Sequence, residues 1–226
     1  MHDKKYWAEF WNNDQIINNK DPQLQVGRSI AGVPISDEQW LDVLNDVSKK
    51  LCLNSDDVLL DIGSGSGLIS MPFAKIIKSV TAVDISEKLL QKYDKKINTI
   101  CSDIFDVEFD KQQFSKIVIY FAIQHFSKQE VVILLRKAKE WLTPQGILLI
   151  GDIPDEQKIF DFYNTRERER ALFHAIESNS PIIGTWFSKF FFMKLGGVLE
   201  FSDVTIREQP KEFINHHYRF DVIFKK

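Results

Sequence analysis

The chain has 226 residues, 44% hydrophobic and 27% charged, with 29 Lys and Arg against 32 Asp and Glu for a formal net charge of −3. That mixture belongs to a globular protein able to bury its own core, and it shows none of the basic excess of a protein that tracks a nucleic-acid backbone. Two cysteines, Cys52 and Cys101, make neither a disulfide framework nor a metal-type spacing, so no metal is expected.

The first ten residues carry charges with no apolar run behind them, and the longest apolar stretch, 117–123, is too short for a bilayer. The expectation is a cytoplasmic protein, monomeric or homodimeric, with no membrane partner. Tyr6, Trp7, Phe10 and Trp11 fall at helical spacing and predict a short amphipathic helix. The chain to Pro34 reads as irregular. Ser36 with Gln39 forms a capping box ahead of a helical stripe of Trp40, Leu41, Leu44, Val47 and Leu51.

From residue 58 the period changes. Apolar runs predict strands at 58–62, 80–84, 97–101, 116–121 and 146–151. Helices are predicted between them at 68–77, at 86–93 and from Ser127 to Leu142. Strands alternating with helices imply right-handed crossovers and a parallel sheet covered on both faces. Beyond it, 155–177 predicts one long helix and 186–195 a short aromatic one. Strands at 198–207 and 218–224, around Pro210, predict an antiparallel pair closing the sheet. One domain is expected: a helical cap (1–52), a core (55–152), a helical insert (153–197) and the closing pair (198–226).

The stretch Asp61-Ile62-Gly63-Ser64-Gly65-Ser66-Gly67 is the most informative. A strand feeding glycines and then a helix lets backbone approach a ligand closely at the carboxyl edge of a sheet. The spacing is D-x-G-x-G-x-G, not the dinucleotide G-x-G-x-x-G, and the Lys-Ser/Thr of a phosphate loop is absent. A nicotinamide-binding domain would use the acid at the end of the second strand equally well. That acid is Asp84, placed to accept hydrogen bonds from ribose hydroxyls. Asp103 follows the third strand, where a carboxylate can meet an adenine amino group.

These residues resemble the class I S-adenosylmethionine-dependent methyltransferases, with the nucleoside-binding motifs in order over about residues 55–152. The resemblance implies a Rossmann-like seven-stranded, mostly parallel sheet with helices on both faces and an antiparallel final strand. It implies S-adenosyl-L-methionine as cofactor and S-adenosyl-L-homocysteine as product. It places Asp61, Gly63, Ser64 and Gly65 by the methionine part, Asp84 on the ribose, Ile85 against adenine, Asp103 and Ile104 at the adenine edge, and Tyr120 beside the sulfonium. Arg28 is the candidate partner of the methionine carboxylate.

Sulfonium methyl transfer needs alignment and exclusion of water, and a base only where the acceptor holds its proton tightly. His125, just past the fourth strand, is the candidate base; with Gln124 it could equally cap or pack the next helix. The Asn/Asp-Pro-Pro-Tyr of enzymes acting on nucleic-acid amines is replaced by Tyr120-Phe121-Ala122-Ile123, which argues for a small molecule and against nucleic acid. Candidate acceptor contacts are Tyr6 and Trp11 from a possible lid, Gln124, Trp186 in an aromatic patch, and His217 and Arg219 before the last strand. The expected reaction is O-methylation of a small polar metabolite or a sugar or glycan precursor. N-methylation of a small amine and a non-catalytic cofactor-binding scaffold are the alternatives.

Overall fold

The computed structural model describes residues 4–14, 18, 21–30, 32–178, 180 and 184–226; the other positions of the expected cap and insert lie outside the described residues. The chain opens with α1 (Lys4–Trp11), α2 (Pro22–Gln25) and a small hairpin of β1 (Ser29–Ile30) and β2 (Val33–Pro34). The short helix and hairpin occupy a segment that the sequence reads as irregular. Asp21 starts α2 by accepting the Gln23 amide at 2.7 Å, with Pro22 at the first helical position.

α3 (Asp37–Leu51) begins at the expected capping box. The Gln39 amide donates to Ser36 Oγ at 3.2 Å, and the Ser36 amide donates to Gln39 Oε1 at 3.0 Å. The strands then follow: β3 (Val58–Ile62), β4 (Ser79–Asp84), β5 (Asn98–Cys101), β6 (Phe114–Tyr120), β7 (Leu142–Pro154), β8 (Asp203–Glu208) and β9 (Arg219–Lys225). They form one sheet in the order β5-β4-β3-β6-β7-β9-β8. The first five run parallel, and β9 pairs antiparallel with both β7 and β8. The fold class is the expected one.

Period-2 alternation divides the core between the two faces. Leu60, Ile62, Ile117 and Ile119 pack toward α6 (Lys128–Trp141) and α9 (Lys189–Val198). Leu59, Val80, Ala82 and Val118 pack toward α3 and α4 (Ser70–Phe73). Both faces bury near-continuous Val, Ile and Leu, as a covered parallel sheet requires. The connections on either side of β3 leave in opposite directions, so a crevice opens at the carboxyl ends of β3 and β6.

Several elements differ from expectation. The helix expected at 68–77 is continuous only over α4, after which Lys75 and Ile76 bond three residues back. Pro72 inside it donates no amide. α5 (Glu87–Leu90) stops short of Tyr93 in the same way. The long helix expected at 155–177 is broken. A 3-10 turn leads into α7 (Ile159–Phe162), and Thr165 caps a fresh start for α8 (Arg166–Glu177), its Oγ1 accepting the Arg168 amide at 3.3 Å. α9 continues to Val198, so the next strand starts at Asp203 rather than 198. β7 is thirteen residues long and carries a bulge against β9 between Ile150 and Ile153. Among the described residues no helix is long and apolar enough to cross a membrane.

Candidate active site

The glycine turn after β3 is pinned from four sides. The Gly63 and Ser64 amides donate to the Val83 carbonyl at 2.9 and 3.2 Å, and Tyr93 Oη donates to the Ser64 carbonyl at 3.0 Å. The Gly65 amide donates to Asp84 Oδ2 at 2.8 Å. Ser66 Oγ reaches back to the Pro22 carbonyl at 2.9 Å. Gly63 and Gly65 have φ of +69° and +53°, and a Cβ on them would stand 2.6 Å from Ala122 Cβ and 2.9 Å from Val26 Cγ1. Both positions therefore need glycine for conformation and for space.

Three carboxylates border the crevice that the turn opens. Asp61, on β3, is buried and accepts Ser70 Oγ at 2.6 Å. Burial pushes its carboxyl up to about 7, the Asp84 charge adding and the Ser70 bond opposing. Asp84, at the end of β4, takes the Gly65 amide on one oxygen and the Ser86 amide, at 2.8 Å, on the other. Burial raises its carboxyl too, against those two amides. Asp103 follows β5 and accepts the Phe105 amide at 2.9 Å.

Opposite them stands Arg28, delivered by the turn after α2 and 3% exposed. Its Nη1 meets Asp152 Oδ2 at 2.7 Å. Its guanidinium lies over the rings of Trp40, Tyr120 and Phe121, 5.0, 5.5 and 5.2 Å from their centroids. Asp152 sits in the β7 bulge with φ +60°, and Phe121, one residue beyond β6, has φ +58°. Asp152 also accepts Gln209 Nε2 at 3.1 Å, and its amide donates to Asp221 Oδ1 at 2.8 Å. Asp221 Oδ2 in turn takes Lys50 Nζ at 2.6 Å. Gly151 makes room for Tyr120, whose ring would lie 2.3 Å from a Cβ there.

α1 lies across the same crevice. Ser86 Oγ makes hydrogen bonds to the Trp11 carbonyl at 2.9 Å and Asn12 Oδ1 at 3.0 Å, and Lys88 Nζ reaches the Asn12 carbonyl at 3.1 Å. At the other side, His125 meets the rings of Trp7 and Trp11 edge-on, with centroids 4.2 and 5.5 Å apart. The glycine turn, the three acids, Arg28, His125 and both indoles line one cavity of about 150 Å³.

Residues 59–146 match the family model described as a methyltransferase domain. The chain is 28% identical over 147 residues to an uncharacterized methyltransferase of Staphylococcus carnosus, covering 61% of this chain and 70% of that one. An 84-residue stretch is 36% identical to an rRNA adenine N-6-methyltransferase of Clostridium perfringens, over 34% of either chain. Haemonchus contortus phosphoethanolamine N-methyltransferase 1, solved with phosphoethanolamine and S-adenosylhomocysteine, superposes with a TM-score of 0.69 at 14% identity. That match covers 98% of this chain but 48% of the longer protein, so this chain spans about half of it.

Residues 59–146 carry a methyltransferase domain with the fold of the class I S-adenosylmethionine-dependent enzymes. The cofactor of that domain is S-adenosylmethionine, and the residues present suit it. The cradle is free of Cβ atoms at Gly63 and Gly65, and two buried hydroxyls in the cavity wall, Ser64 Oγ and Tyr120 Oη, have no hydrogen-bond partner among the described residues.

The sequence-predicted residues divide cleanly. Arg28, Asp61, Gly63, Ser64, Gly65, Asp84, Ile85, Asp103, Ile104, Tyr120, His125 and Trp11 all line the methyltransferase's cavity. Five others do not. Tyr6 is exposed on α1, and His217 is exposed beside Tyr218. Trp186 is buried in a separate cluster with Tyr163, Leu172 and Tyr218. Gln124 and Arg219 are buried behind the cavity and joined at 2.7 Å. Sequence reasoning missed Trp40 and Asp152. Trp40 reads as one more apolar position of the α3 stripe, and nothing local marks Asp152 as the partner of Arg28, 124 residues away.

Proposed function

We propose that the chain O-methylates a small hydroxyl-bearing molecule and that His125 is the general base. The observation that carries this reading is that His125 lines the same cavity as the glycine turn and the three acids. When bound, the cofactor supplies an activated methyl group on a sulfonium whose leaving group is a neutral thioether. Asp84 holds the ribose hydroxyls with the lone pairs that Gly65 and Ser86 leave free. Asp103 and the Ile104 backbone meet the adenine edge, and Ile85 packs on its face. Arg28 pairs with the amino-acid carboxylate, Asp61 attracts the ammonium, and Ser64 and Tyr120 offer hydroxyls along the way. Trp7 and Trp11 exclude water, and their indole faces suit the C–H face of a sugar ring or another flat acceptor. The imidazole of His125 accepts the acceptor's hydroxyl proton as the new bond forms.

A methyl-transfer screen over small alcohols, sugars and amines tests the reading. With a hydroxyl acceptor, His125→Ala should lower kcat/KM by roughly 10²–10⁴-fold and leave S-adenosylhomocysteine affinity unchanged. Unchanged turnover would remove His125 from the chemistry, and transfer to amines but not to hydroxyls would favour a small amine, whose unprotonated nitrogen attacks without a base. Binding with transfer to none of the acceptors would leave a scaffold.

A further inference from the structure

Arg219 lies outside the cavity, yet it shares a carboxylate with the guanidinium that lines it. Arg28 Nη1 holds Asp152 Oδ2 at 2.7 Å, and Arg219 Nε stands 3.8 Å from Asp152 Oδ1. Arg219 Nη1 also donates to the Asp152 carbonyl and to Gln124 Oε1. Asp221, which accepts the Asp152 amide, pairs with Lys50, a lysine that also pairs with Asp46. Arg28, Arg219, Asp152 and Asp221 are each no more than 3% exposed. Two guanidiniums thus bear on one carboxylate in a dry wall, and both lie over the Phe121 ring, 5.2 and 4.8 Å from its centroid. Burial works against charge on Asp152, but Arg219 and then Arg28 outweigh it and hold the carboxyl below its ordinary value. Asp152 is therefore ionised and spent on two cations. Among the described residues Arg28 Nε, in the cavity wall, has no hydrogen-bond partner. A buried cation without a full counter-charge is costly until an anion joins it.

We propose that Arg219 is a positioning residue that supplies charge from behind. By sharing Asp152 with Arg28, it leaves the Arg28 guanidinium only partly neutralised by that carboxylate, and the remaining positive potential selects the carboxylate of the cofactor's amino-acid portion. The inference rests on the reading of the cavity in which Arg28 faces that carboxylate. It goes beyond that reading by assigning the selection to a residue that touches no ligand.

The test is calorimetry with two probes: S-adenosylhomocysteine and the same thioether lacking its carboxylate. Wild type should prefer the first. Arg219→Gln should weaken S-adenosylhomocysteine about twentyfold and leave the decarboxylated probe within about twofold, because only the first senses the missing charge. Arg219→Lys should restore most of the preference. Equal losses on both probes in Arg219→Gln, or failure of lysine to rescue, would overturn the proposal. Wild type that binds neither probe, or both alike, sinks the reading of the cavity and the proposal with it. Wild type that separates the probes, with Arg219→Gln separating them equally well, sinks the proposal alone.

Discussion

Gly65 and Asp84 are joined by a 2.8 Å hydrogen bond from the glycine's amide to the carboxylate, which ties the turn after β3 to the tip of β4. The same carboxylate holds the Ser86 amide, so one side chain sets the shape of two loops on the cavity rim. Asp84→Ala should strand both amides and, in the proposed binding mode, remove the ribose acceptors as well. The expected losses are about 100-fold in S-adenosylhomocysteine affinity by calorimetry and about 2 kcal/mol in stability by denaturant unfolding. Asp84→Asn, which keeps one acceptor oxygen, should lose less in both measurements.

Gly63 serves two needs that mutation can separate. Alanine there meets the Ala122 Cβ at 2.6 Å and also adopts φ +69°. Gly63→Ala should destabilise by about 2–4 kcal/mol, combining the clash with the left-handed backbone. Adding Ala122→Gly should recover the contact part and leave the roughly 1–2 kcal/mol of backbone cost. Thermal melts of the two single variants and the double variant check this, and full additivity would refute the contact.

Asp61 makes stability and binding depend on pH. Its folded carboxyl, at about 7, holds a proton more tightly than the unfolded group, whose ordinary value is 3.8. The stability it contributes is complete below the unfolded value and is lost as pH rises toward the folded one, on the order of 4 kcal/mol over the full window. Asp61→Asn should remove that decline, seen as the difference between variant and wild-type melting curves across the window. A cation bound beside the group favours its ionised form. The rise in melting temperature with S-adenosylhomocysteine should therefore be larger at about pH 8 than at about pH 6, and Asp61→Asn should flatten the contrast.

Lys88, on α5, fastens the C-terminal end of α1 to the element that follows β4. Its Nζ reaches the Asn12 carbonyl at 3.1 Å and Asp14 Oδ1 at 2.5 Å, in contacts that are largely exposed. Lys88→Met should cost less than about 1 kcal/mol of global stability. It should nevertheless speed amide hydrogen exchange in α1 several-fold, because a two-turn helix depends on such tethers and would then rely on Ser86 at its C-terminal end. Exchange mass spectrometry reads both regions in one experiment, and unchanged α1 protection would show that Ser86 suffices.

The sheet was legible because its strands are buried apolar runs punctuated by Gly, Asp and Ser. The acids at the ends of β3, β4 and β5 sit where that pattern puts them. Helix lengths were less legible. The α7–α8 break hinges on Thr165 accepting an amide, a local competition hidden inside an otherwise helical charge pattern. The cluster around Asp152 was not legible at all. Arg28, Asp152, Arg219 and Asp221 are brought together by the β7 bulge and its pairing with β9, and no spacing rule connects residues so far apart in the chain. Gln124 and His217 lie near strand ends in the sequence and Trp186 in an aromatic patch, but neither proximity nor composition says whether a side chain faces the cavity or points behind its wall.

The order β7-β9-β8 has a kinetic consequence. Among the described residues β8 joins the sheet only through β9, a strand that follows it in the chain and wedges between it and β7. β8 can pair only once β9 has docked on β7, and closing such non-local contacts is the slow part of building a sheet, so this edge should be the last to gain amide-exchange protection during refolding.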